Sequence, residues 1–278
     1  MNRIKFQIES RDGISLNASC WQTTGTPIAA IALIHGLGEH HMRYEHVARF
    51  YTDKGITVYS MDLRGHGESE GKRAFSPSRE AFEDDIELLL LKIREEYLDL
   101  PIILYGHSMG GNLSLDYLVR NQGKEIRGAI ITSPWIQLTK KPSGAEILLA
   151  NVMNRIAPAY SQYHGLKAED LSRDPEIGRA YMKDPLVHIR ITARLFKICH
   201  ENASYILENA DRINTKMLLI HGTADGITSH KGSEELAQKT GADLKLWEDF
   251  RHETHNEFGL EEVLDFQYKW IMKNLDII

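Results

Sequence analysis

The chain has 278 residues, 42% of them hydrophobic and 26% charged, and a formal net charge of −6. That length permits one large domain or two small ones, and that composition supports a sizeable core beneath a charged surface. The negative balance, with no long Lys/Arg run, excludes a protein that tracks a phosphate backbone, so no nucleic-acid partner is expected.

Met1 to Ser10 alternates polar and apolar residues, the pattern of a strand and not the continuous apolar core of a signal peptide. Strands are expected at Ile4–Glu9 and Ile14–Trp21, joined by a turn at Arg11-Asp12-Gly13. After Pro27, short apolar runs alternate with helical segments: strand Ile28–Ile34, helix His46–Lys54 stopped by Gly55, then strand Ile56–Met61. Ser78 is placed to cap a helix whose Phe82, Ile86, Leu89 or Leu90, and Ile93 share one face. Pro101 opens strand Ile102–Tyr105, which is followed by helix Met109–Arg120 and strand Ile126–Thr132. Such alternation implies a mostly parallel sheet with helices on both faces. Between Trp135 and Tyr205 the alternation stops. Helical segments are expected at Glu146–Ile156 and Val187–His200, among breakers Pro142, Pro158, Pro175 and Pro185, with no strand. Residues 135–205 therefore read as a helical lid inserted into a core built from 1–134 and 206–278. Strands resume at Met217–His221 and Leu244–Trp247, and Gly259–Lys273 reads as a final helix. The apolar runs are too short to span a bilayer. Cys20 and Cys199 are too few for a disulfide scaffold or a cysteine zinc site, so a cytoplasmic protein with two reduced thiols is expected.

The sequence Gly-x-Ser-x-Gly occurs at Gly67–Gly71 and at Gly106–Gly110. A nucleophile elbow needs a strand before it and a helix after it, so that a strained turn lifts the hydroxyl above the sheet. Ser108 has both and Ser69 has neither; glutamates also flank Ser69 and would oppose charge building on an attacked carbonyl. A serine needs a base to take its proton and an acid to orient that base. In the α/β-hydrolase arrangement these follow in the order Ser, acid, His. Asp225, on the loop after Met217–His221, is the acid, and His252 and His255 both follow the last strand. Spacing does not choose between them. The tetrahedral intermediate needs two amide donors, expected from Met109 and from Leu37 in the turn His35-Gly36-Leu37-Gly38. His35, His40, His41 and His46 lack the spacing of a zinc enzyme, so neither metal nor cofactor is expected.

These residues resemble the monoacylglycerol lipases and their lysophospholipase-like relatives among the capped α/β-hydrolases. The resemblance spans essentially the whole chain, through His35-Gly-Leu-Gly-Glu-His40, Asp62-Leu-Arg-Gly-His-Gly-Glu-Ser69, Gly106-His-Ser-Met-Gly110 and the lid motif Asp184-Pro-Leu-Val187. The family's last-loop pattern is similar to His252-Glu253-Thr254-His255-Asn256-Glu257, which selects His252 as the base. It also implies glycerol-recognising roles for Glu39, Arg43 and His255, although Glu39 and Arg43 would equally suit a surface pair spaced i, i+4. The reading is thus a serine hydrolase that cleaves single-chain acyl esters, above all monoacylglycerol, through an acyl-enzyme on Ser108. The alternatives are a lysophospholipase or another carboxylesterase or aminopeptidase of the superfamily, and, more remotely, a non-catalytic ligand-binding scaffold. Its expected partner is a small acyl ester, with transient contact between the lid and a membrane surface. Six apolar lid residues at helical spacing, Ile147, Leu148, Val152, Ile156, Leu195 and Phe196, are expected to pack the lid on the core, some of them lining an acyl pocket.

Overall fold

The computed structural model of the protein describes residues 1–123 and 125–274. β1 (Asn2–Glu9) and β2 (Ser15–Gln22) form an antiparallel hairpin. Its turn closes on Gly13, whose φ of 83° suits a residue without a side chain. β2 pairs antiparallel with β4 (Ile56–Met61), and from there the sheet is parallel: β3 (Ala29–Ile34), β5 (Ile102–His107), β6 (Gly128–Thr132), β9 (Met217–Gly222) and β10 (Asp243–Trp247). The order across the eight strands is β1-β2-β4-β3-β5-β6-β9-β10. β3, β4, β5, β6 and β9 are buried along their whole length, which is why each reads as a largely apolar run.

Helices cover both faces. α1 (Glu45–Asp53) and α8 (Leu260–Asn274) pack Val47, Tyr51, Leu264 and Ile271 against one side of the sheet. α2 (Arg79–Glu96) and α3 (Met109–Asn121) pack on the other, with Phe82, Ile86, Leu89, Leu90 and Ile93 of α2 all buried. Ser78 caps α2 as expected, its hydroxyl accepting the Ala81 amide at 3.2 Å. The α/β-hydrolase fold read from the sequence is the fold found.

The segment between β6 and β9 leaves the sheet. It carries α4 (Gly144–Ile156), β7 (Ser161–Tyr163), α5 (Pro175–Lys183), β8 (Arg190–Thr192) and α6 (Ala193–Glu208). Three expectations fail here. A two-stranded ribbon, β7 with β8, stands where no strand was foreseen. Pro175 opens a helix, occupying its first turn behind the Asp174 cap, where its missing N–H costs nothing. The helix expected from Val187 starts only at Ala193. Upstream, Asp184 folds the chain into a turn by accepting the Leu186 amide at 2.8 Å, and Thr192 then caps the helix. α6 runs across residue 205 and docks on α3, where the Asn202 side chain donates to Asn112 at 3.1 Å. α7 (His230–Thr240), too polar to announce itself by periodicity, lies between β9 and β10.

Candidate active site

β5 runs straight into the elbow. Ser108 adopts φ 54° and ψ −116°, a conformation few L-residues tolerate, and α3 begins at the next residue. The strain is held by three backbone bonds: the Ser108 amide donates to Thr132, and its carbonyl accepts from Asn112 and Trp135, each at 3.0 Å. A methyl group at Gly110 would lie 2.2 Å from the Ile34 carbonyl, so only glycine lets α3 pass so close to β3.

Asp225 and His252 converge on this serine from the loops after β9 and β10. His252 Nε2 lies 2.9 Å from the Ser108 hydroxyl, and His252 Nδ1 lies 2.7 Å from Asp225 Oδ2. With Nδ1–H donating to the carboxylate, the Nε2 lone pair faces the serine and can accept its proton. Asp225 is saturated. Its Oδ1 accepts the Ile227 and Thr228 amides at 2.8 and 2.9 Å, while Oδ2 also accepts the Thr228 hydroxyl at 2.9 Å and His221 Nε2–H at 3.1 Å. Burial alone would raise that carboxyl, but the charges and hydrogen bonds of His252 and His221 hold it far below the usual carboxylate range. Burial likewise pushes the His252 imidazole down, and the Asp225 charge outweighs it, leaving the ring above its ordinary value. His221, Thr228 and Ser133, whose hydroxyl donates to the His252 carbonyl at 2.7 Å, escaped the sequence reading. The only available signal was a histidine inside a strand, His221, which must find a partner once buried.

Ser69 has no base. Its hydroxyl donates to the Asp62 carbonyl at 2.6 Å and accepts the Asn17 amide at 2.8 Å, tying the hairpin to the loop after β4. The four histidines between 35 and 46 disperse to separate partners: His35 to Leu63, His40 to Asp184, His41 to Asp62 and Ser19, and His46 to the His255 carbonyl.

The turn after β3 passes over the elbow, where a methyl on Gly36 would sit 3.2 Å from Ser108 Cβ. Among the described residues, no hydrogen bond within the protein engages the amide of Leu37 or of Met109, leaving both free to donate. Glu39 and Arg43 are not a surface pair. Glu39 is 2% exposed; its Oε1 accepts the Gly36 amide at 2.6 Å and the Tyr44 hydroxyl at 2.7 Å. The Arg43 guanidinium bridges Glu39 to Glu253, meeting the latter at 2.7 and 2.8 Å, and stacks over Tyr181 at 4.9 Å. Burial works against the Glu253 carboxylate, but Arg43 beside it pulls its pKa down to about 2. His255 lies behind this cluster, fully buried and stacked on Tyr44 at 4.8 Å, and does not line the cavity. Burial drives its imidazole down to about 3, so it is neutral.

Ser108 and His252 open into a cavity of about 400 Å³. Its apolar lining includes Trp135, Leu138, Ile191 and Phe196, all packed with the main core. Its polar lining includes Glu39, His164, Tyr181 and Glu253, gathered around Gly38 and Arg43. Of the six apolar residues expected to pack a lid, Phe196 lines the cavity and Leu195 is buried, whereas Leu148, Val152 and Ile156 are exposed and Ile147 is half-buried.

The family described as "Serine aminopeptidase, S33" matches residues 25–259. The chain belongs to that family. It is a serine hydrolase with relatives along nearly its full length. An abhydrolase domain-containing protein of Dictyostelium discoideum is 34% identical over 95% of this chain, which spans only 28% of that longer protein. A monoacylglycerol lipase of Mycolicibacterium smegmatis is 30% identical, with 95% of each chain covered. Among solved structures, the monoacylglycerol lipase of Paleococcus ferrophilus is similar with a TM-score of 0.85 and 32% identity, over 93% of this chain and 99% of that one.

Proposed function

We propose that this serine hydrolase is a monoacylglycerol lipase, with Ser108 as nucleophile, His252 as base, Asp225 as orienting acid, and the Leu37 and Met109 amides as the oxyanion hole. As Ser108 Oγ bonds to the ester carbonyl carbon, its proton passes to His252 Nε2, and Asp225 stabilises the resulting imidazolium. The carbonyl oxygen takes up negative charge between the two amides. His252 then returns the proton to the glycerol oxygen as the C–O bond breaks. Water, deprotonated by His252, attacks the acyl-serine, and the fatty acid leaves as the proton returns to Ser108. One observation carries the substrate reading: the cavity beside the 2.9 Å Ser108–His252 contact has an apolar lining for an acyl chain and a polar lining for an alcohol. Glu39 lines the alcohol side directly, while Arg43 and His255 stand behind it and fix its shape. Two buried, unpaired cysteines fit a cytoplasmic setting.

A panel of monoacylglycerols, lysophospholipids and p-nitrophenyl esters tests this. Each buried methylene adds about 0.8 kcal/mol of binding shared by ground and transition states. KM should therefore fall from four to twelve acyl carbons while kcat changes little; a flat or falling kcat/KM would contradict the reading. Amide hydrolysis at a free amino terminus has one observation in its favour: Asp170, at the cavity wall, carries a carboxylate with no hydrogen-bond or ion-pair partner among the described residues. Aminoacyl p-nitroanilides in the panel should be turned over at least about a hundredfold more slowly than monoacylglycerols, and the opposite order would favour that second reading.

We also propose that residues 135–205 act as a lid that touches membranes transiently. α4 exposes Leu148, Leu149 and Ile156 at 64%, 59% and 71%. The same segment carries ten Lys/Arg against seven Asp/Glu, a net positive balance on a chain whose total is −6. The paired substitution Leu148→Gln, Leu149→Gln should weaken binding to phosphatidylglycerol vesicles and leave p-nitrophenyl acetate hydrolysis unchanged. Unaltered vesicle binding in sedimentation would remove α4 from the contact. Among the described residues, no helix is long and apolar enough to cross a membrane.

A further inference from the structure

The descending half of the lid is bonded both to the loop that carries His252 and to the turn that carries Leu37. On the base side, the Leu171 carbonyl accepts the Glu253 amide at 2.7 Å and the Asp170 carbonyl accepts the His252 amide at 3.3 Å. The Ser172 hydroxyl donates to Asn256 at 2.9 Å, and Arg173 Nε donates to Glu257 at 2.9 Å. On the opposite side, the His188 amide donates to the Gly38 carbonyl at 2.8 Å, and Asp184 Oδ2 accepts from His40 Nε2 at 2.8 Å. Gly38 and His40 flank Glu39, which grips the Gly36 amide, so the lid and Glu39 together fix the backbone on either side of Leu37. There is no slack in this contact. Gly38 has φ 80°, and a methyl group on it would lie 2.4 Å from the His188 carbonyl.

We propose that this strap is part of the frame of the oxyanion hole, and that Asp184 is a positioning residue that sets the Leu37 amide. Its carboxylate does two things at once. Oδ1 accepts the Leu186 amide at 2.8 Å, forming the turn that delivers His188 to Gly38, while Oδ2 holds the His40 ring. Without it, the strap loses its turn and the oxyanion turn loses a tether. An amide displaced by a fraction of an ångström stabilises the oxyanion less, while the resting ester, which needs that amide less, binds almost as before. The lid is therefore needed even for substrates too small to fill it.

The test uses the full-length enzyme and p-nitrophenyl acetate. Asp184→Ala should lower kcat by about ten- to a hundredfold with KM within about twofold. Affinity for a trifluoromethyl ketone, which forms a tetrahedral oxyanion on the nucleophile, should fall by the same factor. Asp184→Asn, which keeps an acceptor for the Leu186 amide, should recover part of both losses, and it carries the test if the alanine variant does not fold. An unchanged kcat in a variant with native circular dichroism, a loss confined to KM, or an unchanged ketone affinity would overturn the proposal. The inference rests on Ser108 as nucleophile, which fluorophosphonate labelling of the wild type checks separately, so the two can fail independently.

Discussion

Ser108→Ala should lower kcat by about 10⁴–10⁶, because the three side chains act as a unit and removing one disables the others. Among the described residues, Ser108 is the one hydroxyl hydrogen-bonded to His252 Nε2, and it stands beneath the Gly36–Leu37 turn. Ser69→Ala is the informative control, since it removes the serine of the other Gly-x-Ser-x-Gly. Its hydroxyl holds Asn17 and Asp62, so its loss should cost about 1–3 kcal/mol of stability and less than about tenfold in kcat. Thermal melts and kinetics on p-nitrophenyl butyrate separate the two effects. A reversal, with activity following Ser69, would mean that the elbow has been misassigned.

Asp225→Asn should lower kcat by about 10⁴ without unfolding the protein. Oδ1 accepts two backbone amides at 2.8 and 2.9 Å, so the oxygen of an asparagine would stay there and its NH₂ would point at His252 Nδ1. The imidazole would then carry its proton on Nε2, facing Ser108, and could not act as its base. The pH profile should move as well. Burial lowers the His252 ring and Asp225 more than compensates, so wild-type kcat/KM should rise with pH through a midpoint above the ordinary histidine value of about 6.5. The base must be neutral to work, so losing the carboxylate charge should shift that midpoint downward in whatever residual activity survives. A wild-type midpoint below 6.5, or one unmoved by the substitution, would show that Asp225 does not govern the base.

Much of this site was legible because its chemistry is local. The elbow at Ser108 is announced by an apolar strand, a glycine-rich turn and a helix in succession, and the structure supplies each in place. Asp225 is readable from the strand before it. What stayed hidden depends on contacts between distant segments. Glu39 and Arg43 look like any i, i+4 surface pair until Glu253 arrives from 210 residues away and buries both. His255, three residues after the base, invites a role facing substrate, yet the chain turns it behind Tyr44. Between β6 and β9, Val187 and Ile191 keep a helical spacing with residues downstream, but the Asp184 turn takes Val187 out of the helix and pairing with Ser161–Tyr163 puts Ile191 in a strand. Three-residue strands of that kind carry no period of their own; tertiary pairing makes them.

The most direct test of the account is where a fluorophosphonate attaches. The reagent phosphonylates only a serine already activated by a base and an oxyanion hole. Intact-mass and peptide mass spectrometry should find one adduct per chain, on the peptide containing Ser108, with none in Ser108→Ala and normal labelling in Ser69→Ala. Labelling that persists in Ser108→Ala, or a wild-type protein that takes up no label while it hydrolyses monoacylglycerol, would contradict it.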